Sequence, residues 1–503
     1  MWWVWAIGCR ADDPQAVDQL VRASMTLRGV RPSLDELDEL RRAPDQLESI
    51  ARRWLDDDRF GATIRDLHAE QLLLRYDTRP HMPVIGPIAD RTDAETIASL
   101  DEEPLRLIEH VVTTGAPYSD IVTADYTMAD PITAAVYGLD YPEGATGWRV
   151  SSYLDGRPMA GVLSSTALLQ RHMNSDTNHH RGRANLVRAA LVCSPVSGAV
   201  VSDPTVDDLT ANPACAGCHA ALDPTAAAFF GFDTYYIAAD IRDAYQAGCP
   251  EGATCYPLPM WQADLTDDGV AAGMPAGALD GVPAADVTAL GEAIASDPRF
   301  ASCTARRFLR WLEQAEPDED RVRSYAEAFT DSGLDARELA LAIAVDPTEH
   351  APRQVRPEGV SRLIGDLTGW TWEAVAPGYG RVDHGATDEF GFRAMMGGVD
   401  GWNSVRPDRP PTATRELALE WIAAEVAAVG VDRGRLADGS VDGGRAVERQ
   451  LRDLHLRLLG EPDPDLEPSI ALFEGALARS GDPAHAWKVV LTAMLLDDRW
   501  VTY

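Results

Sequence analysis

The sequence predicts a mainly α fold in which helical bundle units flank a loop-rich segment, and three observations carry that expectation. Apolar positions recur at i, i+3 and i+4 through most of the chain, as packed helices require. One three-helix pattern returns three times. Between its first two copies lies a stretch with shorter elements, many glycines and prolines, and most of the cysteines.

The repeated pattern is an arginine-rich amphipathic helix, a Pro/Asp turn, a second helix, and a third that stops at Asp-Arg-aromatic or Asp-Pro. Its first copy runs from Val17 through Leu27-Arg28-Gly29-Val30-Arg31-Pro32-Ser33-Leu34, with Ser33 as an N-cap, to Asp57-Asp58-Arg59-Phe60. The second runs from Cys303 through Phe308-Leu309-Arg310-Trp311 and Glu316-Pro317-Asp318 to Val345-Asp346-Pro347. The third runs from Val447 through Leu459-Gly460-Glu461-Pro462 to Asp497-Asp498-Arg499-Trp500, and one further stop, Asp297-Pro298-Arg299-Phe300, precedes the second copy. A unit of this size, repeated, predicts helical hairpins bundled on one another rather than a sheet-centred enzyme core.

These patterns divide the chain into an N-terminal helical domain over 17–121, a cysteine-bearing region over 122–298 and a helical repeat unit over 299–350. A Gly/Pro/Trp-rich stretch over 351–442 reads as a long irregular insertion, and 443–503 is the C-terminal helical repeat unit. At 503 residues, 45% hydrophobic and 25% charged, the chain has ample material for about three packed units.

The formal net charge of −34 argues against nucleic acid and anionic membrane surfaces as partners, since binding either needs a basic footprint. Lys488 is the one lysine, a bias of composition rather than of chemistry. Residues 1–16 read as a truncated lipoprotein signal, because Trp2-Trp3-Val4-Trp5-Ala6-Ile7-Gly8-Cys9 is apolar up to a cysteine that follows a small residue. A buried apolar strand is the rival account of that segment. On the first reading the protein is exported, to the periplasm or outer cell surface, and Cys9 carries lipid.

Seven cysteines then find roles. Cys9 takes lipid, Cys215 and Cys218 take a cofactor, and four remain to close two disulfides. Cys249 and Cys255 bracket a Pro-Gly turn and form a natural loop staple, which leaves Cys193 and Cys303 by elimination; sequence alone permits three connectivities. Buried free thiols are the alternative for Cys193 and Cys303.

Cys215-Ala216-Gly217-Cys218-His219 carries the chemistry. Two cysteines three apart with a histidine directly after them is the arrangement that binds a c-type haem covalently, through two thioethers and a proximal imidazole. Half of a zinc site and a Cys-x-x-Cys redox disulfide are the competing accounts. Asn212-Pro213 before the motif and Asp223-Pro224 after it suggest a tight loop that exposes His219. For the iron's sixth position Met274 leads, in the loop-like Gly273-Met274-Pro275; Met260, His172, Met173, His179 and His180 are further candidates. His179, His180, Arg181, Arg183 and Arg188 form a basic island that either contacts haem propionates or is satisfied by internal ion pairs.

Several phrases resemble the planctomycete cytochrome c-like (PSCyt-type) exported proteins, whose flanking segments are domains of unknown function. They are Asp125-Tyr126-Thr127-Met128 with Tyr137-Gly138, Gly161-Val162-Leu163-Ser164 with Arg181-Gly182 and Cys193, the haem segment from Asn212 to Pro224, and Asp297-Pro298-Arg299-Phe300 with Cys303. Together they span most of 17–350. The resemblance implies an exported haem protein with an exported partner. The chain departs from the family after the haem motif, where Phe229-Phe230-Gly231-Phe232-Asp233 replaces a Glu-x-Phe-Asp form.

Three functions follow. The first is an exported mono-haem electron-transfer protein with a redox or surface protein as partner. The others are a haem enzyme of peroxidase type, with an open sixth position and His172, His179 or His180 as acid/base, and a non-redox surface scaffold. Hydrolase signatures such as Gly-x-Ser-x-Gly and His-Glu-x-x-His do not occur in the sequence.

Overall fold

The computed structural model describes residues 14–75, 88–172, 179–196, 212–232, 260–263, 273–348, 351–387, 389–399, 406–407 and 412–503. Cys9, Met173, Cys249 and Cys255 lie outside the described residues. Helices dominate what is described, as the periodicity predicts.

The three repeats fold as three helical triplets. In the first, α1 (Pro14–Arg28) buries Val17, Leu20, Met25 and Leu27 and ends at Gly29, whose φ of +65° closes the helix in the left-handed region. Ser33 then caps α2 (Leu34–Arg42): its hydroxyl accepts from the Glu36 amide, while the Glu36 carboxylate accepts from the Ser33 amide. α3 (Leu47–Arg53) completes the triplet. α4 (Asp58–Leu72) packs against α1 and against α5 (Asp93–Thr113).

The segments expected to stop helices do follow helix ends, at Ala295, Ala344 and Leu495, and the Asp-x-Arg-aromatic ones also start the next element. Asp57 caps α4 through its carboxylate, which also takes the Arg59 guanidinium, and the following Phe60 is buried. Asp297-Pro298-Arg299-Phe300 and Asp497-Asp498-Arg499-Trp500 repeat the arrangement, with Phe300 and Trp500 buried. An Asp at N-cap satisfies free amides and sits favourably at the positive helix end. The Arg two residues on has the reach to fold back on it.

The middle region is built around α5. A short α6 (Asp120–Thr123), β1 (Thr127–Ala129), α7 (Pro131–Tyr137), β2 (Arg149–Ser151) and α8 (Thr166–Arg171) follow, β1 and β2 pairing antiparallel. Glu103 of α5 is fully buried and accepts hydrogen bonds from Thr127, Tyr153 and Ser165 hydroxyls. One carboxylate thus ties β1, the Tyr153 strand end and α8 to the central helix, and burial pushes its pKa upward. α9 (Arg181–Leu191) packs on α10 (Pro213–Ala227); the two-residue strands β3 (Ala278–Leu279) and β4 (Val282–Pro283) lead into α11 (Val287–Ala295).

In the second triplet α12 (Pro298–Glu313) turns at left-handed Gln314 into α13 (Glu319–Asp331) and α14 (Ala336–Ala344), and α14 packs on α1. The stretch expected to be irregular is largely ordered into elements: α15 (Pro357–Thr368), the hairpin of β5 (Glu373–Ala376) and β6 (Gly380–Asp383), α16 (Phe392–Met395) and the twenty-residue α17 (Ala413–Asp432). Its prolines and glycines mark the boundaries, Pro357 at the first turn of α15 and Gly369 at its end, rather than a lack of structure.

In the last triplet, α18 (Gly444–Leu454) runs through a π-type turn, His455–Leu459, to Gly460; α19 (Glu467–Ser480) and α20 (Pro483–Leu495) follow. The C-terminus returns to the first triplet, where buried Arg31 donates to the carbonyls of Arg499, Trp500 and Thr502. Val355 and Arg353 amides bond Val501 and Tyr503 carbonyls. One hydrophobic core consequently runs from Val17 to Val501. Among the described residues no helix is long and apolar enough to cross a membrane.

Candidate functional site

The motif cysteines lie on a helix, not on the expected loop. Pro213 falls in the first turn of α10, where a missing amide costs nothing, and the Asn212 carbonyl accepts from the Cys215 and Ala216 amides. The alanine-rich run that follows favours helix strongly enough to carry the chain past Pro224, which falls in the last turn.

Helical winding has a chemical consequence. Residues at i, i+3 and i+4 share one face, so Cys215, Cys218 and His219 form a single stripe over the first turns of α10. Both thiols are free and half-buried.

The next residue on that stripe is Asp223, one turn beyond His219. Its carboxylate is buried, and its oxygens stand 3.1 and 3.2 Å from His219 Nδ1. Arg181, at the start of α9, grips the same carboxylate through Nε at 2.5 Å and Nη2 at 3.2 Å. Arg181 Nη2 is also 4.0 Å from the Met274 sulfur. The structure therefore gathers His219, Asp223, Arg181 and Met274 into one cluster, with Cys215 and Cys218 on the adjoining turns.

A carboxylate at Nδ1 fixes the ring and its tautomer, and leaves Nε2 as the coordinating nitrogen. The donor set fits a c-type haem: two free thiols and a histidine nitrogen on one helical face, with the other nitrogen already engaged. Among the described residues no three His, Cys, Asp or Glu side chains cluster to hold a bare metal ion. Cys249 and Cys255, the remaining ligands of the zinc alternative, lie outside the described residues.

The basic island is largely engaged by internal partners. Arg183 is buried and donates to the carbonyls of Leu169, His172 and Phe232 and to His180 Nδ1. Arg188 is buried and pairs with Asp280 at 2.8 Å. His179 and His180 both take left-handed φ, +47° and +61°, and both rings rest on Phe230. His172 bonds the Leu72 carbonyl at 2.9 Å through Nε2, and burial lowers its pKa to about 3. Met260 is buried in the hydrophobic core, 3% exposed.

Phe229 and Phe232 enter the core, and the Trp261 ring packs so closely over Gly231 that a Cβ there would meet it at 1.8 Å. Cys193 and Cys303 are bonded, joining the end of α9 to α12 across 110 residues.

Asp223, which reads in the sequence as a turn signal, is the carboxylate that His219 meets. Its i+4 spacing from His219 would have marked it, had the segment been read as helix.

Comparison with known proteins adds a partial match. The family profile for a protein of unknown function, DUF1592, fits residues 34–139, which covers α2 to α7 and stops short of Cys215. Neither a curated protein nor a solved structure matches the chain.

Proposed function

We propose that the chain carries one c-type haem covalently on α10 and works outside the cytoplasm as an electron-transfer protein. The observation that carries this reading is the single-faced stripe Cys215, Cys218, His219, Asp223, with the carboxylate seated at the histidine nitrogen that does not coordinate. Bound haem supplies a one-electron ferric/ferrous couple. Cys215 and Cys218 would hold it through thioethers, and the His219 imidazole would bind its iron. Asp223 orients the imidazole and raises its basicity, while Arg181 locks Asp223 in place. Met274 would be the candidate for a further iron ligand.

Export is supported by the Cys193–Cys303 disulfide, a bond that persists in oxidising compartments. A lipid anchor at Cys9 and an exported redox partner belong to the same proposal. A second reading, a haem enzyme with an open sixth position, is favoured by Asp223 itself, because a carboxylate-supported imidazole is a stronger donor to iron.

Purified protein from a host with cytochrome c maturation is expected to show a Soret band and a c-type pyridine haemochrome. A six-coordinate spectrum indifferent to cyanide and peroxide selects electron transfer over the enzyme. Wild-type behaviour after Cys215→Ala with Cys218→Ala would leave only the scaffold reading standing.

A further inference from the structure

Beside α9 lies a cavity of about 650 Å³, bounded also by α4, α12 and the start of α15. Its size is that of a small-molecule site. Its charge is the reverse of the molecule's: Arg307, Arg310, Arg356 and Arg406 line it, and among the described lining residues Glu70 is the one acid. Glu70 is occupied, since its carboxylate pairs with Arg356 at 2.7 Å and accepts from Trp311 Nε1 at 3.1 Å. The Arg356 guanidinium lies 4.7 Å over the Trp311 ring.

Arg307 is the residue that sets this cavity apart. This chain buries several arginines by giving each two or more acceptors: Arg31 has three carbonyls, and Arg415 has those of Met396 and Val355. Arg307 donates to the Ala189 carbonyl alone; its Nε, like those of Arg188 and Arg353, is buried with no hydrogen-bond partner. Burial lowers its pKa to about 10, as expected for a cation without a facing carboxylate. Leaving such a group unpaired is costly unless an anion completes it.

We propose that this cavity binds a small molecule with a carboxylate or phosphate head group, held by Arg307 with Arg310 at the rim, and an apolar body against Leu73, Leu186 and Trp311. The site is independent of haem attachment, because none of these residues belongs to the α10 stripe.

Calorimetric titration of the full chain at low ionic strength with phthalate, and separately with inorganic phosphate, tests it. We expect saturable one-to-one binding in at least one arm, and the tighter arm names the head group. Arg307→Gln is expected to weaken that binding about tenfold, the loss of one charge-assisted contact. Arg310→Gln, at a half-exposed position where the guanidinium pairs with Glu316 at 3.3 Å, is expected to weaken it about threefold. Arg323→Gln, remote on α13, should leave it unchanged. No saturable heat in either arm, or equal affinity in wild type, Arg307→Gln and Arg310→Gln, overturns the proposal.

Discussion

Asp223 makes the site testable one atom at a time. A carboxylate accepting from Nδ1 stabilises ferric over ferrous iron by making the imidazole a stronger donor. Asp223→Asn is therefore expected to raise the midpoint potential, by roughly 60 mV for each tenfold change in relative ferric stability. Redox titration of the two proteins reads this, and an unchanged potential would remove Asp223 from the account. Further into the core, His68 is buried between the Ile64 carbonyl at 2.7 Å and the Tyr118 hydroxyl at 2.6 Å, and burial lowers its pKa from 6.5 to about 4. Between those two values the unfolded chain takes up a proton that the folded chain refuses. Its contribution is thus full above pH 6.5 and is lost as pH falls toward 4, about 3 kcal/mol in all. Urea midpoints measured from pH 7 to pH 4.5 should fall, and fall less steeply in His68→Gln; identical slopes would exclude His68 as a source of the acid sensitivity.

At the scale of elements, what the sequence revealed depended on whether the signal was local. Ser33 is legible because a capping box needs only four consecutive residues, and Ser33→Ala should cost about 1 kcal/mol in a denaturant melt. The Asp-x-Arg-aromatic segments are equally visible as helix stops, but their second role as caps of the next element is not, since an Asp beside a helix end reads alike as either. α10 was misjudged for a related reason: Pro213 and Pro224 both look like loop signals until their places in the first and last turns are known. Glu103 left no trace in the sequence, because Thr127, Tyr153 and Ser165 reach it from separate segments. Glu103→Ala strands three buried hydroxyls and is expected to destabilise the fold by about 3 kcal/mol or more. A loss below about 1 kcal/mol would show that the hub does not hold these elements together. The arginine-lined cavity was invisible for the same reason, being assembled from α4, α9, α12 and α15.

Across the whole molecule the three triplets share one core, closed at the ends by Arg31 against the C-terminal carbonyls and in the middle by the Cys193–Cys303 bond. A cross-link over 110 residues removes on the order of 4 to 5 kcal/mol of unfolded-state entropy. Reduction should accordingly lower the melting temperature by several degrees, and a melt indifferent to reductant would argue that the bond does not constrain the chain. The disulfide suits a protein exported from the cytoplasm, and the Cys215–His219 motif suits a redox one. The most direct test of that account is intact mass together with the absorption spectrum of the full chain made alongside a cytochrome c maturation system. The account predicts the mass of one attached haem and a c-type haemochrome, both abolished by Cys215→Ala with Cys218→Ala. Colourless protein at the mass of the bare polypeptide would contradict it.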